Sequence, residues 1–350
     1  MHIQSLALSN FRCFSEGYFE FSPRINVICG RNARGKTSIL EALYFLMTGQ
    51  SFRPGTTSGL IRQESEAFLL GAIFSKHSVE QTLRIYWSET EKKIVYNSTA
   101  CQSVGSLLGL IQGVVTSPDD VALVKGAPAM RRQFLDLQIA QTDPLYVHHL
   151  TRYNRALRQR NALLKMKQTA GIEGWEYEMA NGASYLINQR FQKVKALGVQ
   201  AQKHYLDLSG EQADLALSYK SAIIEDRNQK DIRNFFLHEY KQHRQREMQL
   251  GATLSGPHKD DLLILIGTKD ARFYASEGQQ RSCVAALRLA EWECLASLSE
   301  ERPLLLIDDI GIGLDDYRQR QLFRLLETLG QVFITSTKEL PIEAQQIIKL

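Results

Sequence analysis

The chain has 350 residues, 44% hydrophobic and 23% charged, which is the composition of an ordinary globular protein with one large or two smaller domains. No apolar run approaches the roughly 20 residues of a membrane helix, and the first residues do not begin a secretory signal. The five cysteines are scattered without a C-x-x-C pair, which argues against a disulfide framework or a zinc site, and the net charge is only +4. We therefore expect a cytoplasmic protein without a membrane segment.

A phosphate-binding loop is the clearest motif, and it stands between a predicted strand at 25–29 and a predicted helix at 38–47. The pattern G-x-x-x-x-G-K-[ST] is matched by Gly30, Arg31, Asn32, Ala33, Arg34, Gly35, Lys36 and Thr37. In such a loop the backbone N–H groups and the helix N-terminus bind phosphate oxygens, the lysine reaches the β- and γ-phosphates, and the threonine ligates Mg²⁺. The chain is thus predicted to bind ATP or a similar triphosphate with Mg²⁺. The alternative is a glycine-rich turn that matches by chance.

The remaining elements divide into sheet-forming ends and a helical middle. Short runs rich in β-branched and aromatic residues at 68–74, 79–87 and 93–97 predict antiparallel strands. Helical patterns follow at 131–140 and 145–167 and, less clearly, at 226–250, before strand-like runs return at 262–266 and 304–307. This order predicts an α/β nucleotide domain built from residues 1–125 and 251–350, with a mostly helical lobe, residues 126–250, inserted in it.

One segment of the lobe is strongly basic. Residues 151–167 carry a net charge of +6 with no acid, against +4 for the whole chain, and include Arg152, Arg155, Arg158 and Arg160. A concentrated basic strip is typical of sequence-nonspecific binding to the phosphate backbone of DNA. The alternative is a solvated helix face whose acidic partners lie on a neighbouring helix.

Ser276 and Gly278 stand just before a predicted helix, within the sequence S-E-G-Q-Q-R. A serine and a glycine at a helix N-terminus can present a hydroxyl and backbone N–H groups to an anion. The simpler interpretation is that Ser276 only caps the helix.

Asp308 and Asp309 follow four apolar residues, 304–307. A buried parallel strand that ends in two acids delivers carboxylates to the edge of the sheet, where one can bind Mg²⁺ and the next can polarise the attacking water. The alternative is a core strand that ends in a solvated turn.

The order of these motifs is that of ABC-type ATPases, and the chain resembles the RecF family of bacterial recombinational-repair proteins along its whole length. The segments that carry the resemblance are 10–12, 25–28, 40–42, 51–53, 117–120, 125–128, 131–136, 153–157, 159–164, 254–261, 278–281 and 286–291.

The resemblance implies an ABC-type P-loop ATPase head, similar to those of SMC-like DNA-repair proteins, with an inserted helical lobe. It implies an ATP-dependent homodimer in which the phosphate loop, Asp308 and Asp309 of one protomer face Ser276 and Gly278 of the other. It further implies slow ATP hydrolysis, binding to single-stranded, double-stranded or gapped DNA, and action with RecR and RecO in loading the RecA recombinase.

The sequence departs from the pattern in three places. Glu277 stands where the family usually has a neutral residue, and a carboxylate near the γ-phosphate would repel it unless the side chain turns away. Ile312 and Gly313 replace the usual Ser-Glu, which puts in doubt the contacts that this loop makes across the dimer. Asp309 stands where most ABC ATPases carry glutamate, although aspartate is usual for this family.

Two other functions compete with a DNA-bound ATPase. A small-molecule P-loop kinase would not need the S-E-G-Q-Q sequence. An ABC transporter subunit would normally have Leu-Ser-Gly-Gly as its signature and a histidine after the strand at 331–334, where Thr335-Ser336-Thr337 stand instead.

Overall fold

A computed structural model describes residues 1–210, 214–223, 225, 227–309, 316–338, 340 and 342–350, and only the backbone of 316–318. The strands are β1 His2–Phe11, β2 Phe14–Glu20, β3 Ile25–Cys29, β4 Ala67–Lys76, β5 Val79–Ser88, β6 Lys92–Tyr96, β7 Thr99–Ala100, β8 Gly113–Thr116, β9 Leu215–Lys220, β10 Asp261–Ile266, β11 Lys269–Asp270, β12 Leu304–Ile307, β13 Val332–Ser336 and β14 Gln346–Lys349. The helices are α1 Lys36–Thr48, α2 Ala122–Lys125, α3 Pro128–Ala140, α4 Pro144–Lys165, α5 Ile172–Ser209, α6 Gln229–Leu250, α7 Ala271–Tyr274, α8 Glu277–Leu298 and α9 Asp316–Leu326. Short 3₁₀ turns lie at Thr57–Leu60, Val104–Leu107 and Pro118–Val121.

The predicted elements are confirmed. The strands predicted at 25–29, 68–74, 79–87, 93–97, 262–266 and 304–307 are β3, β4, β5, β6, β10 and β12. The helix predicted at 38–47 is α1, which ends at Gly49 in a left-handed conformation, its N–H bonded to the Phe45 carbonyl. The less certain helix at 226–250 is α6, which begins after Asn228 because that side chain accepts the Asp231 N–H.

By contacts, the chain divides into two compact units. Unit 1 consists of Met1–Val121, Lys203–Glu211 and Glu277–Leu350. It contains a six-stranded antiparallel sheet in the order β2-β1-β4-β5-β6-β7 and a five-stranded parallel sheet in the order β14-β3-β13-β12-β8. Helix α1 is buried along nearly its whole length, in a core that includes residues of both sheets. Helix α8 packs on the parallel sheet in a second core. Strands β12 and β13 are buried on both faces, as expected of central parallel strands.

Unit 2 consists of Ala122–Gln202 and Gln212–Ser276, and it combines α2 to α4, most of α5, α6 and α7 with the three-stranded sheet β11-β10-β9. This division corrects the predicted boundaries. Residues 251–276, assigned to the ATPase domain from the sequence, lie in unit 2 because β10 pairs antiparallel with β9 of the lobe. The end of α5, from Lys203, lies in unit 1, where Leu208 joins the second core.

Among the residues that the structure describes, no helix is long and apolar enough to cross a membrane.

Candidate nucleotide site

The phosphate loop joins the end of β3 to the start of α1, and its two glycines have no room for a side chain. At Gly30 a Cβ atom would lie 2.8 Å from the Leu350 carbonyl oxygen. At Gly35, where φ is +95°, it would lie 2.7 Å from Cys13 Sγ and 2.6 Å from the Phe14 ring. Glycine is therefore required at both positions, by space at the first and by space and backbone conformation at the second.

Lys36 opens helix α1 and turns back toward the loop. Its Nζ donates to the carbonyl oxygens of Gly30 at 2.7 Å and Arg31 at 3.0 Å. These contacts hold the ammonium against the loop, as a phosphate-binding lysine requires. Residues 31–34 of the loop are exposed.

Asp308 lies at the end of β12, where the parallel strands bring several polar groups to one edge of the sheet. Its Oδ1 accepts hydrogen bonds from Thr37 Oγ1 and from Thr335 Oγ1, each at 2.8 Å. Burial raises the pKa of Asp308 above its ordinary value, and the two hydroxyl donors act in the opposite direction. Thr37 and Asp308, each predicted from the sequence to bind Mg²⁺, are thus in direct contact with each other.

Asp309 is held in a left-handed conformation with φ of 56°. Its backbone N–H donates to Thr335 Oγ1 at 2.7 Å, so the same threonine fixes both acids. A non-glycine residue pays on the order of 1 kcal/mol or more for this geometry, and such costs concentrate at functional sites.

A cleft of about 700 Å³ joins these groups within unit 1. It is lined by Arg12, Cys13, Asn32, Ala33, Gly35, Lys36, Thr37, Ser38, Phe52, Arg53, Gly59, Ile61, Ser117, Pro118, Asp119, Asp308, Asp309 and Thr335. Its size and its cationic loop suit a nucleoside triphosphate. Thr37 Oγ1 and Asp308 Oδ1 also suit Mg²⁺, which takes one or two protein oxygens together with substrate phosphates and water.

Sequence reasoning missed Arg12 and Thr335. Arg12 lines the cleft, bonds Glu41 through Nε at 2.8 Å and Nη2 at 2.7 Å, and donates to the Gly59 carbonyl. Ser51 also donates to Glu41. For Arg12, Glu41 and Ser51 the sequence does contain a signal, because residues 10–12, 40–42 and 51–53 all carry the family resemblance. The resemblance alone does not give these residues a role.

Ser276 directly precedes α8, as predicted, and is exposed. Glu277 is exposed and lies in the first turn of α8, while the Gly278 carbonyl accepts the Ser282 hydroxyl. The departure at Ile312 and Gly313 lies outside the described residues. The role of Ser276 and Gly278 toward a second protomer stays a prediction.

The basic strip on α4 is only partly a surface. Arg155 and Arg158 are exposed, and Arg152 is exposed but bonded to Glu178 through Nε and Nη2.

The expectation for Arg160 is wrong, because its side chain is fully buried. It is paired with Glu176 at 2.9 Å and Glu247 at 2.7 Å and donates to Thr253 Oγ1. The reason is helical spacing. Position 160 follows Tyr153 and Ala156 on the face of α4 that points into the unit.

These features together define a P-loop ATPase of the ABC type with an SMC-head-like fold. The family model of the RecF/RecN/SMC N-terminal domain matches residues 2–350. The chain belongs to the RecF family.

Similar proteins agree with this assignment. The DNA replication and repair protein RecF of Protochlamydia amoebophila is 53% identical over 338 residues, covering 96% of this chain and 94% of the relative. The protein of the same name from Oceanobacillus iheyensis is 34% identical over 345 residues, covering 96% and 94%. A solved structure of the recombination mediator protein RecF-ATP in the RecFOR pathway is 30% identical, with a TM-score of 0.93 over 99% of this chain and 95% of that one. An SMC head bound to the C-winged helix domain of ScpA, 16% identical with a TM-score of 0.56, shares the fold.

Proposed function

We propose that this protein is an ATP-driven DNA-binding switch of recombinational repair and replication restart. One observation supports the proposal most directly: beside the phosphate loop, the hydroxyls of Thr37 and Thr335 both donate to the Asp308 carboxylate. Related proteins are named for DNA replication and repair, and a related structure is described with ATP.

In the proposed mechanism the loop from Gly30 to Thr37 binds the phosphates through its backbone and Lys36. Thr37 and Asp308 would hold Mg²⁺, which would neutralise phosphate charge there. Asp309 accepts a proton from, or orients, the attacking water. Because an aspartate side chain is shorter than glutamate and its backbone is fixed by Thr335, we expect slow turnover.

The site is proposed to be completed by a second copy of the chain. Ser276 is exposed at the start of α8, and Gly278 lies in the first turn of that helix, so both can present N–H and hydroxyl groups to a γ-phosphate of the partner. ATP would then drive homodimerisation, and hydrolysis would release the dimer.

DNA, single- or double-stranded or gapped, is the proposed partner of unit 2. Exposed Arg155 and Arg158, with Arg152, support contact with the phosphate backbone without base reading. RecR and RecO are proposed as protein partners, because related structures are assigned to the RecFOR pathway. RecA is proposed as the recombinase that they load, from the family resemblance. A cytoplasmic location fits this role.

Gel filtration and phosphate release, each with and without ATP and random-sequence duplex DNA, test the proposal. We expect a monomer that ATP with Mg²⁺ converts to a dimer, and hydrolysis that DNA stimulates. If the protein stays monomeric with ATP and DNA does not change its hydrolysis rate, the result would instead support the small-molecule kinase function.

A further inference from the structure

Two grooves in unit 2 meet at one ion pair, Arg152–Glu178. The first groove, of about 490 Å³, is lined by Arg152, Arg155, Gly171, Gly174, Trp175 and Glu178. The second, of about 460 Å³, is lined by His149, Arg152, Glu178, Asn181, Ser184, Tyr185, Gln229, Lys230 and Arg233. Since both include Arg152 and Glu178, the two grooves adjoin at this ion pair. We call the two grooves together the track; its lining residues lie on α4, α5, α6 and the turn before α5.

Trp175 gives the first groove an aromatic wall. The other tryptophans, Trp87 and Trp292, are core residues with 6% and 7% of their surface exposed, whereas Trp175 is only half-buried. Beside it, a Cβ atom added at Gly171 or Gly174 would meet no atom within 4 Å. The indole therefore lines a groove that is open on the side of these two glycines.

The track is cationic. Arg152, Arg155, Lys230 and Arg233 line it, against the single carboxylate of Glu178. Arg152 and Glu178 are bonded through Nε and Nη2 and neutralise each other, so Arg155, Lys230 and Arg233 supply the net positive charge. Arg155 and Lys230, one in each groove, are exposed and suit a chain of phosphates.

We propose that this track binds single-stranded nucleic acid, with its backbone along the cations and one unpaired base stacked on Trp175. The inference rests on the DNA-binding part of the proposed function and names where an unpaired strand is held. An aromatic ring beside a cationic groove is the arrangement that single-strand binding uses, since every base has a π-face. A blunt duplex keeps its base faces stacked and cannot use the indole. Charge alone would attract an acidic peptide equally, but the open space beside the indole favours a planar ligand.

The test uses the full chain with a fluorescently labelled oligo-dT and a blunt duplex of the same length. Trp175→Leu should weaken oligo-dT binding about ten-fold, the order expected for one lost base stack, and leave duplex binding unchanged. Trp175→Phe, which keeps a ring, should retain most of the affinity. Oligo-dT affinity falls with salt, and the slope of log affinity against log salt concentration measures this dependence. Arg155→Gln and Lys230→Gln should each reduce the magnitude of that slope by roughly 0.7. Arg84→Gln, at an exposed position of β5 in unit 1, is the control and should change nothing.

Intrinsic fluorescence gives a second readout. Oligo-dT should quench the protein's tryptophan emission, and Trp175→Phe should abolish that quenching even if affinity is kept. Unchanged oligo-dT affinity in Trp175→Leu, equal losses for oligo-dT and duplex, or polyglutamate that binds as tightly as oligo-dT would each overturn the inference. If the unmutated protein binds neither DNA, the DNA-binding part of the proposed function fails with it. If the protein binds both DNAs and Trp175→Leu changes neither affinity, the proposed track is refuted while the DNA-binding part of the proposed function stands.

Discussion

The hydroxyl of Thr37 donates a 2.8 Å hydrogen bond to Oδ1 of Asp308, across 271 positions of sequence. Thr37 lies in the first turn of helix α1, and Asp308 directly follows strand β12. Because Thr335 donates to the same oxygen, three separate segments converge on one carboxylate. Removing the Thr37 hydroxyl without changing the fold is therefore the most local test of this site.

Thr37→Val should lower Mg²⁺-dependent ATP hydrolysis on the order of ten- to a hundred-fold, because valine keeps the shape and loses the oxygen. Thr37→Ser keeps the hydroxyl and serves as the matched control, with activity close to that of the unmutated chain. Hydrolysis measured over a series of Mg²⁺ concentrations gives the comparison. If the valine and serine variants hydrolyse ATP at the same rate at every Mg²⁺ concentration, the Thr37 hydroxyl does not bind Mg²⁺.

Lys36→Ala should abolish ATP binding, since the ammonium that lies against the Gly30 and Arg31 carbonyls is lost. Lys36→Arg should keep some binding and lose turnover, because the planar guanidinium is bulkier than an ammonium. Equilibrium binding of a fluorescent ATP analogue, followed by phosphate release, separates the two effects. Normal hydrolysis by Lys36→Ala would overturn the assignment of the phosphate loop.

Much of unit 1 could be predicted from local pattern. The phosphate loop has a fixed spacing of its glycines and lysine, and α1 and β12 have recognisable apolar patterns. Asp308 can be found because it directly follows the apolar run of β12. Thr335 could not be found in this way. Its importance depends on β13 lying next to β12 in the parallel sheet, a pairing that no local pattern encodes.

In unit 2, local sequence pattern gives wrong predictions where long-range contacts decide the structure. Arg160 was expected on a DNA-binding surface because charge was read along the sequence without assigning the buried face of α4. Its partners Glu176 and Glu247 lie on α5 and α6, far away in the chain. The boundary at residue 250 failed for a similar reason, since β10 belongs with β9 through antiparallel pairing.

Arg160→Gln should destabilise the protein by about 3–5 kcal/mol, because it leaves the buried Glu247 carboxylate without its cation. Glu176 loses one of its two cations and keeps Arg244, at 2.6 Å. The melting temperature of the transition that includes unit 2 should fall by roughly 10 °C. Arg158→Gln, two positions away and exposed, is the control and should leave the melting temperature nearly unchanged. Equal effects of the two substitutions would contradict the buried position of Arg160.

His258 should make stability depend on pH. Its Nδ1 accepts from the Tyr153 hydroxyl at 2.6 Å and its Nε2 donates to the Thr253 carbonyl, and burial lowers its pKa from 6.5 to about 4. Between these values the unfolded chain binds a proton that the folded protein does not, so stability is lost as pH falls through this window. The loss is at most about 3 kcal/mol, since one pKa unit corresponds to about 1.4 kcal/mol.

Denaturant midpoints at pH 5 and pH 7.5 check this effect. In His258→Gln the difference between the two midpoints should be smaller than in the unmutated protein. His238→Gln, at an exposed position of α6, should keep the full difference. A difference that His258→Gln does not reduce would mean that other groups set the pH dependence.

In the proposed mechanism, ATP is hydrolysed at a site shared by two chains. Ser276→Arg should leave ATP binding by the monomer largely intact, because Gly30 to Thr37 supply most of the phosphate contacts. It should block dimerisation and hydrolysis, because a bulky cation replaces the hydroxyl at the partner's γ-phosphate. Asp309→Asn should also hydrolyse ATP poorly, through loss of its own acid.

The most direct measurement is the hydrolysis rate of an equimolar mixture of Ser276→Arg and Asp309→Asn. Each mixed dimer contains one site with an intact phosphate loop, an intact Asp309 and an intact Ser276 from the other chain. We predict that the mixture regains activity that neither variant has alone, with about half of the sites in mixed dimers working. If Ser276→Arg alone hydrolyses ATP at the unmutated rate, or the mixture shows only the sum of two inactive proteins, the shared site is contradicted.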